Sequence, residues 1–215
     1  GFVLPTLLGW WWGGPDMALG AFLIAGVARL VFVQHMTFFI NSLCHYIGRQ
    51  PYSSRCTARD STLMAFFTFG EGYHNFHHEF QHDYRNGVKP WQFDPTKWTI
   101  WLLEKVGLTK DLRRVPDEKI LLAETLEAHR QLVRRIDQLK NTHSAPQNLL
   151  EQTVQRLSMV SERLAAQGQQ LQEAISTRIA LSSESIRRYR NEVRHALLAL
   201  NRGCSNRALS TASHA

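Results

Sequence analysis

GFVLPTLLGWWWGGPDMALGAFLIAGVARLVFVQHMTFFINSLCHY, residues 1–46, carries one acid, Asp16, and one base, Arg29. Water-soluble globular chains seldom open on so long a stretch with so little charge, and the reading is lipid contact. Phe2 to Trp12 is apolar over about 11 residues, roughly 17 Å as a helix and half a bilayer span. Trp10, Trp11 and Trp12 read as an interfacial aromatic belt, and Gly13-Gly14-Pro15-Asp16 as a tight turn behind it. The run from Met17 to His45 is long enough to cross completely. It carries Arg29, Gln34, His35, Asn41 and His45, groups that lipid tolerates only where they face protein or water. A membrane hairpin over residues 1–45 is expected. Its first helix is expected to be truncated, since neither an initiator Met nor a basic leader precedes the apolar run. The competing reading is a buried helix of a soluble protein.

Outward from the hairpin the composition changes. The whole chain has 215 residues and a net charge of +7, with 25 Lys plus Arg against 18 Asp plus Glu. All but two of those charges lie beyond residue 45. Arg49, Arg55 and Arg59 come soon after the second run, whereas the Gly13–Asp16 turn has no base. The positive-inside bias therefore puts His45 and the residues after it on the cytoplasmic side of an integral membrane protein. Cys44, Cys56 and Cys204 are odd in number and widely spaced, which argues against a disulfide-built secreted domain. No nucleic-acid motif is present, and no nucleic-acid partner is expected.

Residues 46–116 read as a cytosolic cap. Ser61–Phe69 is apolar but too short to span, and Gly70-Glu71-Gly72 breaks it. Asp94-Pro95 is a helix start and Gly107 a stop for a helix over Thr96–Val106. That helix sets Trp98, Trp101 and Leu102 against Lys97, Glu104 and Lys105, the pattern of a helix lying on a membrane surface. Residues 117–203 read as a helical extension in which Leu122, Leu126, Val133 and Ile136 recur at helical spacing, with a break near Asn141–Pro146. Leu150, Val154, Leu157, Leu164, Leu171 and Ile175 form a second set, a coiled-coil heptad weakened by Ser161 and Gly168. Residues 204–215 read as a disordered tail.

The chemistry lies in the histidines. In Gly70-Glu71-Gly72-Tyr73-His74-Asn75-Phe76-His77-His78, His74, His77 and His78 fall at i, i+3 and i+4 and share a helix face within about one turn. Three crowded neutral imidazoles are expensive to bury unpaired, and a cation engages each ring lone pair. Asn41 and His45 are likewise one turn apart at the cytoplasmic end of the span. Imidazole suits zinc, copper and iron about equally, so ligand type leaves the metal open. H-E-x-x-H, the usual mark of a zinc hydrolase, is absent.

Asn41-Ser42-x-x-His45-x-x-Gly48-x-x-Pro51-Tyr52, then Gly70 to His78 and Asp83-Tyr84-Arg85, resembles the C-terminal half of membrane fatty acyl desaturases of the stearoyl-CoA delta-9 type. The resemblance covers roughly residues 1–120. It implies an all-α fold: a transmembrane hairpin from the C-terminal part of a four-helix membrane bundle, with a cytosolic helical metal-binding cap, here continued by a helical tail. It further implies that dioxygen and a histidine-ligated centre of two irons place a cis double bond in a saturated acyl chain. Carried over by motif, His45, His74, His77 and His78 are iron ligands and Asn41 lies in the outer sphere through a water. The remaining family ligands come from upstream histidine boxes absent here, so the chain is expected to be an inactive fragment of an active enzyme.

Thr37 and Phe38, about one turn before Asn41, are candidates for the lining of an acyl tunnel, with ordinary helix packing as the alternative. His35 reads as an interhelical histidine. His82 reads as a surface group, and Gln81 stands where the family often has Pro. Arg49, Arg55, Arg59, Arg85 and Lys89 would suit a CoA thioester or an acidic electron donor such as ferredoxin or cytochrome b5, with the positive-inside signature alone as the equal alternative; a lipid-linked acyl substrate is also open. Rival readings are di-iron hydroxylation, a zinc-dependent membrane hydrolase, and a non-catalytic membrane protein that keeps half a metal site and uses its tail as an interaction module.

Overall fold

The computed structural model describes residues 1–141, 147–179 and 181–211; the expected break at residues 142–146 and the end of the tail, 212–215, lie outside them. The described residues are helical, with no strand beyond isolated bridges. They fall into two units: one of residues 1–49, 57–78 and 84–112, the other of residues 50–56, 79–83 and 113–215.

In the first unit, α1 (Val3–Ala21) leads through a π-helical segment (Phe22–Ala28) into α2 (Arg29–Tyr46). Helical geometry fails inside α1 at Gly13 and Gly14, where Gly14 has φ 72°. A straight helix would hold Phe2 and Phe22 about 30 Å apart. Their rings lie 5.8 Å apart, and a Cβ on Gly9 would touch the Ala21 methyl at 2.9 Å. The segment is therefore a hairpin that reverses at Gly13-Gly14, with Pro15 in the first turn of the second arm, where its missing N–H costs nothing. Val3–Tyr46 is long and apolar enough to cross a membrane, and only 11% of an apolar 18-residue stretch within it is buried. Trp11 and Trp12 are 81% and 80% exposed, a surface that only lipid or protein covers favourably.

After α2 the chain turns through Gly48 (φ 132°), and Arg49 and Asp60 exchange backbone hydrogen bonds of 3.0 and 2.7 Å. Ser61 caps α3 (Thr62–Phe67), accepting the Met64 N–H at 3.4 Å. The break expected at Gly70-Glu71-Gly72 has two causes. Gly70 has φ 110°, and a Cβ on Gly72 would overlap the backbone nitrogen of Ala65 in α3. The next helix, α4 (His74–Glu79), carries the histidines.

α5 (Pro95–Lys105) starts as expected, with the Asp94 side chain accepting the Lys97 N–H at 2.9 Å, and stops at Gly107 with φ 77°. Its Trp98, Trp101 and Leu102 are exposed, as a surface-lying helix requires. Lys97 is a correction. It is buried rather than on the polar face, because its Nζ donates to the carbonyls of Gly87 (2.7 Å), Lys89 (3.2 Å) and Gln92 (3.4 Å). Burial pushes its pKa down from the ordinary lysine value, partly offset by Asp94. Asp94, wholly buried, also accepts the N–H groups of Asn86 and Gly87, so one acid shapes the whole loop into α5.

The second unit contains α6 (Asp117–Lys140), α7 (Gln147–Ser176) and α8 (Ser183–Thr211). Leu157, Leu164 and Leu171 of the expected heptad are buried, and their partners are helices of the same chain: Leu132 and Ile136 of α6, Val193 and Ala196 of α8, and, around Leu171, Leu121 and Tyr189. The stripe expected on α6 is partly corrected. Leu126 and Val133 are exposed, and the buried face runs through Leu121, Thr125, Ala128, Leu132, Ile136 and Leu139. α8 remains helical to Thr211.

Candidate metal centre

The histidines that the sequence separates by 29 positions meet at the end of α2 and the start of α4. His45 Nε2 and His78 Nε2 each lie 3.1 Å from His74 Nε2, and ligand atoms of all three fall within 4.8 Å of one another. The rings approach edge to face, with centroids 4.5–5.6 Å apart. Three converging nitrogens cannot all be satisfied by one another, because a neutral imidazole has one N–H to give. A cation at their focus satisfies them all: two nitrogens at right angles around a metal with bonds of about 2.1 Å stand about 3.0 Å apart. The donor set fits a borderline divalent transition metal such as iron or zinc.

Electrostatics favour the metal-ready form. Burial, then the neighbouring imidazoles of His78, His45 and His77, push the pKa of His74 down to about 4. His78 is lowered by burial first, then by His45 and His77. Both rings therefore stay neutral and hold their lone pairs at neutral pH.

Two residues that sequence reasoning passed over hold this arrangement. Thr57 Oγ1 lies 2.9 Å from His45 Nδ1. With Nε2 as the ligand atom, Nδ1 carries the proton and donates it to the threonine, which fixes ring and tautomer together. Asp60 joins the two helices: its backbone bridges Arg49 and Tyr73, and its Oδ1 accepts the N–H groups of Asn75 (2.8 Å) and Phe76 (3.1 Å) in the first turn of α4. Burial pushes its carboxyl up to about 7, with those two hydrogen bonds opposing. Neither Thr57 nor Asp60 sits in a recognisable spacing. Their position between the two histidine motifs was the only signal.

The other expected residues take more varied places. His77 stacks on His74, with centroids 6.1 Å apart and planes at 12°, but its nitrogens lie outside the group of three. Asn41, one turn before His45, donates to the Thr37 carbonyl at 3.2 Å and is exposed. Thr37 bonds back to Val33, and Phe38 is exposed beside the His35 ring. His82 is exposed. Among the basic residues, Arg55 is paired with Glu79 at 2.6 Å and Arg59 donates to the Gly48 carbonyl.

Over 119 residues the chain is 50% identical to acyl-CoA desaturase 1 of Saccharomyces cerevisiae, a match covering 55% of this chain and 23% of that protein. The probable acyl-CoA desaturase of Schizosaccharomyces pombe is 45% identical over 120 residues, 55% of this chain and 24% of the relative. The sn-1 stearoyl-lipid 9-desaturase of Synechocystis is 39% identical over 117 residues, 54% of this chain and 34% of the relative. No family model matches the chain. About 55% of the chain is thus similar to fatty acyl desaturases, and the match spans about a quarter to a third of those relatives' length.

Proposed function

We propose that the intact protein is a membrane fatty acyl desaturase that uses dioxygen and two histidine-held irons to place a cis double bond, at the delta-9 position, in a saturated acyl chain. The observation that carries this reading is the convergence of His45, His74 and His78 within 4.8 Å in a stretch similar to acyl desaturases. Iron bound there would supply dioxygen activation and hydrogen abstraction from an unactivated methylene.

The chain's own residues prepare that chemistry. His45, His74 and His78 would hold one metal, with His77 beside them for the second and Asn41 reaching the site through water. Thr57 orients His45, and the depressed pKa values of His74 and His78 keep protons from competing for the ring nitrogens. Asp60 fixes the first turn of α4. The exposed apolar hairpin would keep the site at a membrane, with Thr37 and Phe38 on the helix leading to it. The bases after α2 support a cytoplasmic placement and an acidic electron donor, ferredoxin or cytochrome b5. Relatives named for acyl-CoA and for stearoyl-lipid support either carrier for the acyl chain.

The test supplies labelled saturated acyl-CoA to membranes containing the intact gene product, with products read by mass spectrometry. A cis-monoene is expected, falling at least a hundredfold in His74→Ala, and none from the 215-residue chain alone. An alcohol product would favour hydroxylation. Absence of product from the wild type would favour the non-catalytic reading, and unchanged activity in His74→Ala would overturn the histidine site.

A further inference from the structure

The second unit draws in two short pieces of chain that border the metal candidates in sequence: residues 50–56, between His45 and Thr57, and residues 79–83, next after His78. The first is an excursion whose base is closed by Gln50 Nε2 donating to the Cys56 carbonyl at 2.5 Å. α6 grips it at three points. Glu127 Oε2 accepts the Ser54 N–H at 3.0 Å, Gln131 Nε2 donates to the Gln50 carbonyl at 3.2 Å, and Arg134 donates to Ser54 Oγ at 3.2 Å. Residues 127, 131 and 134 are i, i+4 and i+7, one stripe beside the leucine face of α6.

Glu127 is completely buried and also accepts from Arg130 (2.8 Å) and Gln131 (3.3 Å). A buried acid is a poor way to stabilise a helix bundle, where an apolar residue of similar size does as well or better. Its three donors give it another task, holding a loop. The second piece is tied to the first by Arg55–Glu79 at 2.6 Å and by the Tyr52 and Phe80 rings at 5.9 Å. It is tied to the segment that leads into α6 by Asp83, which accepts the Val115 N–H at 2.9 Å.

We propose that α6 is a latch for the metal site: Glu127, Gln131 and Arg134 pin residues 50–56, and the pinned loop delivers Thr57 to His45 Nδ1. The inference rests on reading His45, His74 and His78 as metal ligands. Glu127, Gln131 and Arg134 are positioning residues, and the extension is a working part of the cap rather than a free module.

The full chain is purified in detergent as wild type, Glu127→Ala, Glu127→Gln, Arg134→Ala, Thr57→Val and the Glu127→Ala/Thr57→Val double variant. Cobalt(II) affinity is read from its absorption bands under chelator competition, and amide exchange of residues 50–56 by mass spectrometry. Glu127→Ala is expected to speed exchange at Ser54 and weaken cobalt about tenfold, the size of an outer-shell loss. Glu127→Gln, which keeps an acceptor oxygen, restores most of both. Arg134→Ala lies on the exposed side of the stripe, leaves the helix core intact and gives a smaller change in the same direction. The double variant binds no more weakly than Thr57→Val alone. Faster exchange with unchanged cobalt affinity overturns the latch, as does additive loss in the double variant. Wild type that takes up no cobalt overturns the metal reading beneath it.

Discussion

The two units are held together by different physics. In the helical extension, mostly aliphatic side chains of α6, α7 and α8 build two apolar clusters, and each is one of several similar contributors. In the first unit, cohesion comes from single polar groups with several partners: Asp60 joining Arg49, Tyr73, Asn75 and Phe76, Asp94 joining Asn86, Gly87 and Lys97, and the Lys97 ammonium closing a loop of carbonyls. A core of the first kind spreads damage, whereas a frame of the second kind concentrates it. That is the frame a metal site needs, because a ligand must be held in place to a fraction of an ångström.

The sharpest way to break this contrast is to add one carbon to the frame and remove three from the core. Gly72→Ala forces a methyl into the backbone of α3, which cannot yield, and should cost upwards of about 3 kcal/mol, erasing cobalt uptake while far-ultraviolet dichroism of the long helices persists. Leu164→Ala, in a bundle that can partly close around the gap, should cost about 2–3 kcal/mol in chemical denaturation and spare cobalt binding in the folded state. If Leu164→Ala proved the more damaging to metal uptake, the division between frame and core would fall.

A finer test uses pH on the metal-free chain. His74 is held down to about 4 from an ordinary 6.5, so between those values the unfolded chain takes up the proton first and acidification from pH 6.5 toward 4 destabilises the fold. Asp60, held up to about 7 from 3.8, does the opposite: its contribution is present at low pH and lost as pH rises toward 7. The two partly cancel between about pH 4 and 6.5. Asp60→Asn keeps a carbonyl for the two α4 N–H groups and removes one side of the balance. Acidification from pH 6.5 to 4.5 should then destabilise the variant more than the wild type, by on the order of 1 kcal/mol after solvent screening, measured as a shift in denaturant midpoint.

Much of this was legible in the sequence because it is local. Gly13-Gly14-Pro15 announces a reversal, Asp94-Pro95 a helix start and His74 to His78 a shared helix face; each is written within a few residues and governed by backbone rules. The convergence of His45 on that face was legible only through resemblance, since His45 and His74 are 29 positions apart. Thr57 and Asp60 were not legible, because a threonine and an aspartate in a polar loop fit many roles and only a distant partner selects one. The wrong stripe on α6 has a related cause. Leu126 and Val133 are as apolar as Leu132, and the choice of face was settled by α7 and α8 together with the polar stripe of Glu127, Gln131 and Arg134.

The scattered make-up of the second unit has a consequence for how the molecule comes into being. Residues 50–56 leave the ribosome about 75 residues before the α6 side chains that grip them, a delay of about 4–15 s at ordinary translation speeds. All the candidate ligand histidines are translated within that interval or before it. In the nascent chain the imidazoles can gather while the loop beside them still exchanges its hydrogen bonds with water, and the grip closes only once α6 has been made.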